Sequence, residues 1–175
     1  MRRTAALLLL SLNPATMLAQ SPLPPDLLDD WQRDRAIVLA YIEAMPDSAL
    51  GYRPTPGVRS FAEQFEHIVA TNLEVAAVAL RHRDQSPAIG EQAQYLASKS
   101  ALRAFAASSY AYVLAALGDA TTEDLARPVA MYGQPPQPAV RLIVLSLEHS
   151  VWTLGQVVPY LRLNRVTPPF YAMPF

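Results

Sequence analysis

The sequence contains no cysteine, only 6 glycines and no excess of either charge, and each scarcity removes a class of chemistry. Without cysteine there is no disulfide, thiolate zinc site, iron–sulfur cluster or thiol nucleophile. Any bound metal must then rely on histidine, carboxylate or neutral oxygen. With 14 Lys+Arg against 15 Asp+Glu, the chain offers no broad basic surface, so neither a nucleic-acid partner nor an anionic membrane surface is expected. Gly90, Gly118, Gly133 and Gly155 stand alone and form no phosphate-cradling loop, and there is no Gly-x-Ser-x-Gly elbow.

What is present fits one ordinary domain: 175 residues, 51% of them apolar, enough to bury a full core. The first residues read as an export signal. Met1-Arg2-Arg3 is a short positive region, Thr4 to Leu12 is mostly Ala and Leu, Asn13-Pro14 breaks the run, and a cut is expected after Ala19. Met17 stands where such a cut favours a small residue. The apolar run is too short to span a bilayer, so no membrane span is expected once residues 1–19 are removed. The expected organisation is a signal at 1–19, a proline-rich linker at 20–25 and one helical domain at 26–175, in a periplasmic or secreted protein that must be stable without disulfides.

Helical periodicity begins after the linker. Asp26 is placed as an N-cap, and Leu28, Trp31, Arg35, Val38, Ile42 and Met45 follow the three-four spacing of a bundle seam, interrupted at Arg35. Pro46 ends this helix, and Pro46 to Gly57 reads as a structured loop. Ser60-Phe61-Ala62-Glu63 has the form of a capping box that opens a second helix running to about Arg81, with Phe61, Phe65, Ile68, Val69, Asn72, Leu73, Ala76 and Leu80 on its apolar side. A third helix, from Ser98 to Gly118, carries Leu102, Phe105, Ser109, Val113 and Leu117. An irregular crossover, Asp119 to Pro138, leads to a fourth helix from Ala139 to Leu163. On that helix Leu142, Leu145, His149, Trp152, Gln156, Tyr160 and Leu163 are read as one side, with a kink expected ahead of Pro159. The fold class is therefore all-α: a four-helix bundle with a long crossover before the last helix, not a simple up-down-up-down arrangement.

Two of the three histidines sit where chemistry could gather. His67 shares a polar stripe with Glu63, Gln64, Thr71 and Glu74, on a helix whose other side is core. His149 shares its face with Ser146, Trp152, Thr153 and Gln156. His82, between Arg81 and Arg83, reads as a capping charge at a helix end. By spacing alone, two histidines on separate helices are weak evidence for a shared site: His67 equally reads as a boundary residue paired with Glu63, and His149 as a satisfied core histidine. Arg53 and Arg59 read as helix-capping or ion-pairing residues, and the aromatic set Tyr110, Tyr112, Trp152, Tyr160, Phe170, Tyr171 and Phe175 as packing.

Two stretches together resemble a known family. Met45 to Ile68, with Tyr52-Arg53-Pro54 and Ser60-Phe61-Ala62-Glu63-Gln64-Phe65-Glu66-His67, is similar to the end of helix one, the loop and the start of helix two in DinB/YfiT-like proteins. Glu148 to Asn164, with His149, Gly155-Gln156 and the following Pro168-Pro169, resembles their last helix and tail. The resemblance implies a four-helix bundle, often a homodimer, with a divalent metal such as zinc or nickel held by three histidines. His67 matches the first ligand and His149 the second; Thr153 occupies the third position. The family's characterised enzymes resemble thiol-dependent transferases or isomerases, a chemistry at odds with export.

A histidine at position 153 would aim at the same point as His149 from the next turn, whereas a threonine hydroxyl is a poor ligand for a borderline metal. Glu63, one turn before His67, is the first candidate for completing the set, followed by Glu74 and Gln156. Three readings stand. The first is an exported bundle that keeps a pocket for a small-molecule ligand but binds metal weakly or not at all. The second is a metal-dependent hydrolase or thiol transferase using His67, His149 and Glu63. The third is a filled core that acts by association.

Overall fold

A computed structural model describes residues 24, 26–80 and 90–170. The signal segment at 1–19, nearly all of the linker at 20–25, and His82 lie outside the described residues. Four long helices form the bundle: α1 (Leu27–Ala44), α2 (Phe61–Ala79), α4 (Lys99–Gly118) and α6 (Ala139–Leu163). Two short helices, α3 (Gln92–Ala97) and α5 (Thr122–Ala126), precede and follow α4. The crossover also contains a two-stranded ladder of β1 (Pro128–Val129) against β2 (Gln137–Pro138).

Each helix starts where its chemistry permits. Ser60 Oγ accepts the Glu63 amide at 3.2 Å while Glu63 Oε2 accepts the Ser60 amide at 2.7 Å, so the expected capping box is formed. Ser98 caps α4 through the Ala101 amide, and Thr121 with Asp124 forms a second capping box for α5. Asp26 precedes α1 as expected but does not cap it with its side chain; its backbone is left-handed, at φ 72°. Helix α6 continues through Pro159, which like Gly155 one turn earlier is exposed, so the carbonyl that loses its N–H partner can be hydrated.

In the bundle α2 packs against α4 and α6, and α1 packs against α4 and α6, which leaves α1 and α2 largely on the diagonal. Helices α1 and α4 are antiparallel, since Asp34 meets Tyr110 while Glu43 meets Lys99 and Arg103. The pairs His67–His149 and Asn72–Ser146 make α2 and α6 antiparallel as well. The core centres on fully buried Trp31, Ile42, Phe61, Phe65, Leu102, Leu117 and Ile143. Helix α4 is long and apolar enough to cross a membrane by length and composition, but here it is a core helix between α1 and α2.

Two seams differ from the sequence reading. On α1 the interruption is filled by Asp34, which is buried, whereas Arg35 is exposed. On α6 the inward residues are Ile143, Ser146, Ser150, Thr153, Val157 and Tyr160, one position on from the expected stripe at all but the last. One residue is about 100° of helix rotation, so Trp152 (73% exposed), Leu163 (61%) and Gln156 face outward. Ser146 and Ser150 take the inner face because each finds a hydrogen-bond partner on another helix, while Leu142, Leu145 and Trp152 stay less buried; Leu154 and Leu161 are buried as well.

Candidate metal centre and the cleft beside it

The capping box fixes the start of α2 and thereby the direction of His67, two turns further on. From the facing helix His149 reaches back, and the two Nε2 atoms stand 3.1 Å apart with the rings perpendicular. The sequence-predicted pair is therefore brought together. Burial lowers the His67 pKa to about 4, aided by the Arg59 charge and by His149; burial and Arg59 also lower that of His149. Both rings are neutral at pH 7, so one Nε2–H donates to the other. His149 Nδ1 is buried without a partner. A bare acceptor there costs less than a stranded N–H, which favours His149 Nε2–H as donor and His67 Nε2 as acceptor.

The third position is filled differently from what a metal requires. Thr153 is buried, and its Oγ1 donates to the carbonyl of His149, one turn back, at 2.9 Å. Glu63, the expected carboxylate substitute, is committed elsewhere: Oε2 holds the Ser60 amide and Oε1 holds Arg53 at 2.5 Å, with Arg53 also bonded to Val58 O. Those contacts, the Ser60 amide first, hold its pKa below the usual carboxylate value. Glu74 lies two turns beyond His67 and holds the Tyr132 hydroxyl at 3.0 Å, and Gln156 is exposed. Among the described residues, no group of three His, Cys, Asp or Glu side chains is placed to hold an ion.

Two imidazole nitrogens on one tetrahedral zinc, at about 2.0–2.1 Å each, would sit about 3.3 Å apart. The observed 3.1 Å suits two ligands of one ion. The rest of the donor set falls short, and Arg59 adds a positive charge to which both rings respond. Among the described residues, the side chains around the two imidazoles supply no third strong donor.

The polar stripe of α2 lines a cleft of about 910 Å³ between α2 and α6. His67 and His149 lie at one end, Glu74, Val75, Arg141 and Leu142 at the other, with Ala70 and Leu145 between. The β1–β2 hairpin covers the far end through Met131 and Tyr132. Its turn, closed by Gln134 N to Met131 O at 3.0 Å, places Tyr132 and Gly133 at φ 53° and 71°, the primed geometry suited to a hairpin.

A buried network on the other side of α6 escaped the sequence reading. Asp34 Oδ2 accepts from Tyr110 Oη at 2.6 Å and from Ser150 Oγ at 2.7 Å; Asn72 donates to the Tyr110 hydroxyl, and Ser146 donates to Asn72. Burial raises the Asp34 pKa to about 6 against the lowering effect of these bonds and of Arg33. The only sequence signal was an acidic residue one position before the interrupted seam.

The sequence pattern of the DinB superfamily matches residues 30–157. The chain belongs to the DinB superfamily. The match runs from α1 to within two turns of the end of α6 and so includes both histidines and Thr153. Among solved structures, a DinB-like protein from Bacillus cereus is similar at a TM-score of 0.70 and 19% identity, over 83% of this chain and 95% of its own. One from Bacillus subtilis is similar at 0.68 and 19%, over 85% and 99%. Identity at that level speaks for the DinB-like fold alone. No curated protein matches the chain.

Proposed function

We propose that this DinB-superfamily chain is an exported ligand-binding bundle that retains an interhelical cleft but has a degenerate metal centre, with catalysis lost. The observation that carries this reading is the direct 3.1 Å contact of His67 and His149, together with a Thr153 hydroxyl bonded to the His149 carbonyl one turn back. Two neutral imidazoles without a third strong donor hold zinc or nickel poorly, since affinity rises with the number and type of ligands and competes here with the hydrogen bond between the rings. The apolar cleft beside them has the volume of a small-molecule site. The hydrolase or thiol-transferase reading needs a carboxylate at the centre, and the engagement of Glu63 with Ser60 and Arg53 counts against it.

Restoring the missing donor tests the proposal. Thr153→His is expected to convert weak zinc binding into stoichiometric binding, with an affinity gain of at least about a hundredfold in a competition titration against a chelating dye. Equal, tight binding by the wild type and the variant would overturn it.

A further inference from the structure

Three charged side chains line the cleft: Glu66, Glu74 and Arg141. Each carboxylate already holds a donor from the protein, Gln92 Nε2 on Glu66 at 3.1 Å and the Tyr132 hydroxyl on Glu74 at 3.0 Å. Arg141 is exposed and, among the described residues, has neither a hydrogen bond nor an ion pair. It stands in the first turn of α6, which has no side-chain cap and no acidic residue. A guanidinium with its donors unengaged, in the wall of an apolar cavity, is complementary to a carboxylate that can accept two parallel N–H bonds.

The rest of the wall sets the shape of the molecule. From His67 to Val75 the cleft follows eight residues of α2, about 12 Å at the helical rise of about 1.5 Å per residue. Between its ends the surface is mostly hydrocarbon, and Leu145 is 38% exposed on the cleft side of a helix whose inner face is filled by other residues. A fully polar ligand would leave that surface unmatched. A fully apolar one would leave the Arg141 guanidinium at the end of the cleft unmatched.

We propose that the cleft binds an amphipathic carboxylate, its carboxyl group on Arg141 and its hydrocarbon body laid along Ala70, Val75, Leu142 and Leu145 toward the histidine pair. This rests on the reading of the chain as a ligand-binding bundle and adds the ligand class. Glu74 near the same end makes the opposite polarity, an alkylamine, the informative competitor.

Isothermal titration of the full mature chain with decanoate, decan-1-ol and decylamine tests the assignment. Decanoate is expected to bind at least about tenfold more tightly than either of the others. Arg141→Gln should weaken decanoate about tenfold, leave decan-1-ol within about twofold and keep the melting temperature, since the side chain has no partner to lose. Ala70→Trp, which fills the cleft, should abolish binding of both. Equal affinities for all three probes, unchanged by Arg141→Gln, would overturn the carboxylate assignment while leaving the cleft a binding site. Binding of none of the three would overturn the assignment and the binding-bundle reading together. Tight zinc binding by the wild type, with decanoate behaving as stated, would overturn only the degenerate-centre reading.

Discussion

At the scale of single residues the histidines were legible and the aspartate was not. His67 stood out because it lay on a polar stripe opposite a clear core, and the stripe proves to be the cleft wall. Asp34 was hidden because an acidic residue on an amphipathic helix normally faces water; only its partners on α4 and α6, distant in sequence, make its burial tolerable. That burial has a consequence for stability. Because the folded pKa, about 6, lies above the ordinary 3.8, the folded state holds the proton more tightly, so the contribution is fully present below about pH 3.8 and is lost as pH rises through 6. The loss is about 3 kcal/mol. Asp34→Asn keeps an oxygen for Tyr110 and Ser150 and removes the ionisation. Urea denaturation at several pH values should show the stability of wild type relative to the variant falling from pH 4 to pH 7. A constant difference across that range would contradict the buried, proton-binding aspartate. His67, whose pKa is lowered, acts in the opposite sense in both proteins and cancels in the comparison.

At the scale of elements, strong local signals were read correctly and weak or ambiguous ones were not. The capping box at Ser60 and the span Ala139–Leu163 follow from side-chain chemistry and apolar periodicity that act within a few residues. Helix α3 was missed: six residues with a single buried side chain, Tyr95, carry too little pattern, and its place is set by stacking of Tyr95 on Phe105 of α4. The face of α6 was misread because Leu142, Leu145 and Trp152 outrank serine and threonine in any count of apolarity. Tertiary partners reverse that order, with Ser146 bonded to Asn72 and Ser150 to Asp34. Truncation distinguishes the two faces. Ile143→Ala, at a fully buried position, should cost about 2–5 kcal/mol. Trp152→Ala, although the larger deletion, should stay within about 0.5 kcal/mol in the monomer. Equal costs by thermal or chemical denaturation would restore the face that the sequence suggested.

At the scale of the whole molecule the arrangement of the helices explains why a site exists at all. Placing α1 and α2 largely on the diagonal leaves α2 and α6 as neighbours, antiparallel, with His67 and His149 at matching height. The hairpin in the crossover then covers the far end of the same groove, so the long connection noted in the sequence becomes a wall of the cleft. The bundle and its family were readable from two motifs in order. The state of the centre depended on where Glu63 and Thr153 send their polar atoms, which spacing does not determine. On the reading proposed, the DinB-like cleft lacks a working metal centre. Elemental analysis of the untagged protein, purified without chelator, tests it most directly. Zinc and nickel far below one equivalent per chain are expected, while near-stoichiometric metal that disappears in His67→Ala would show a working centre.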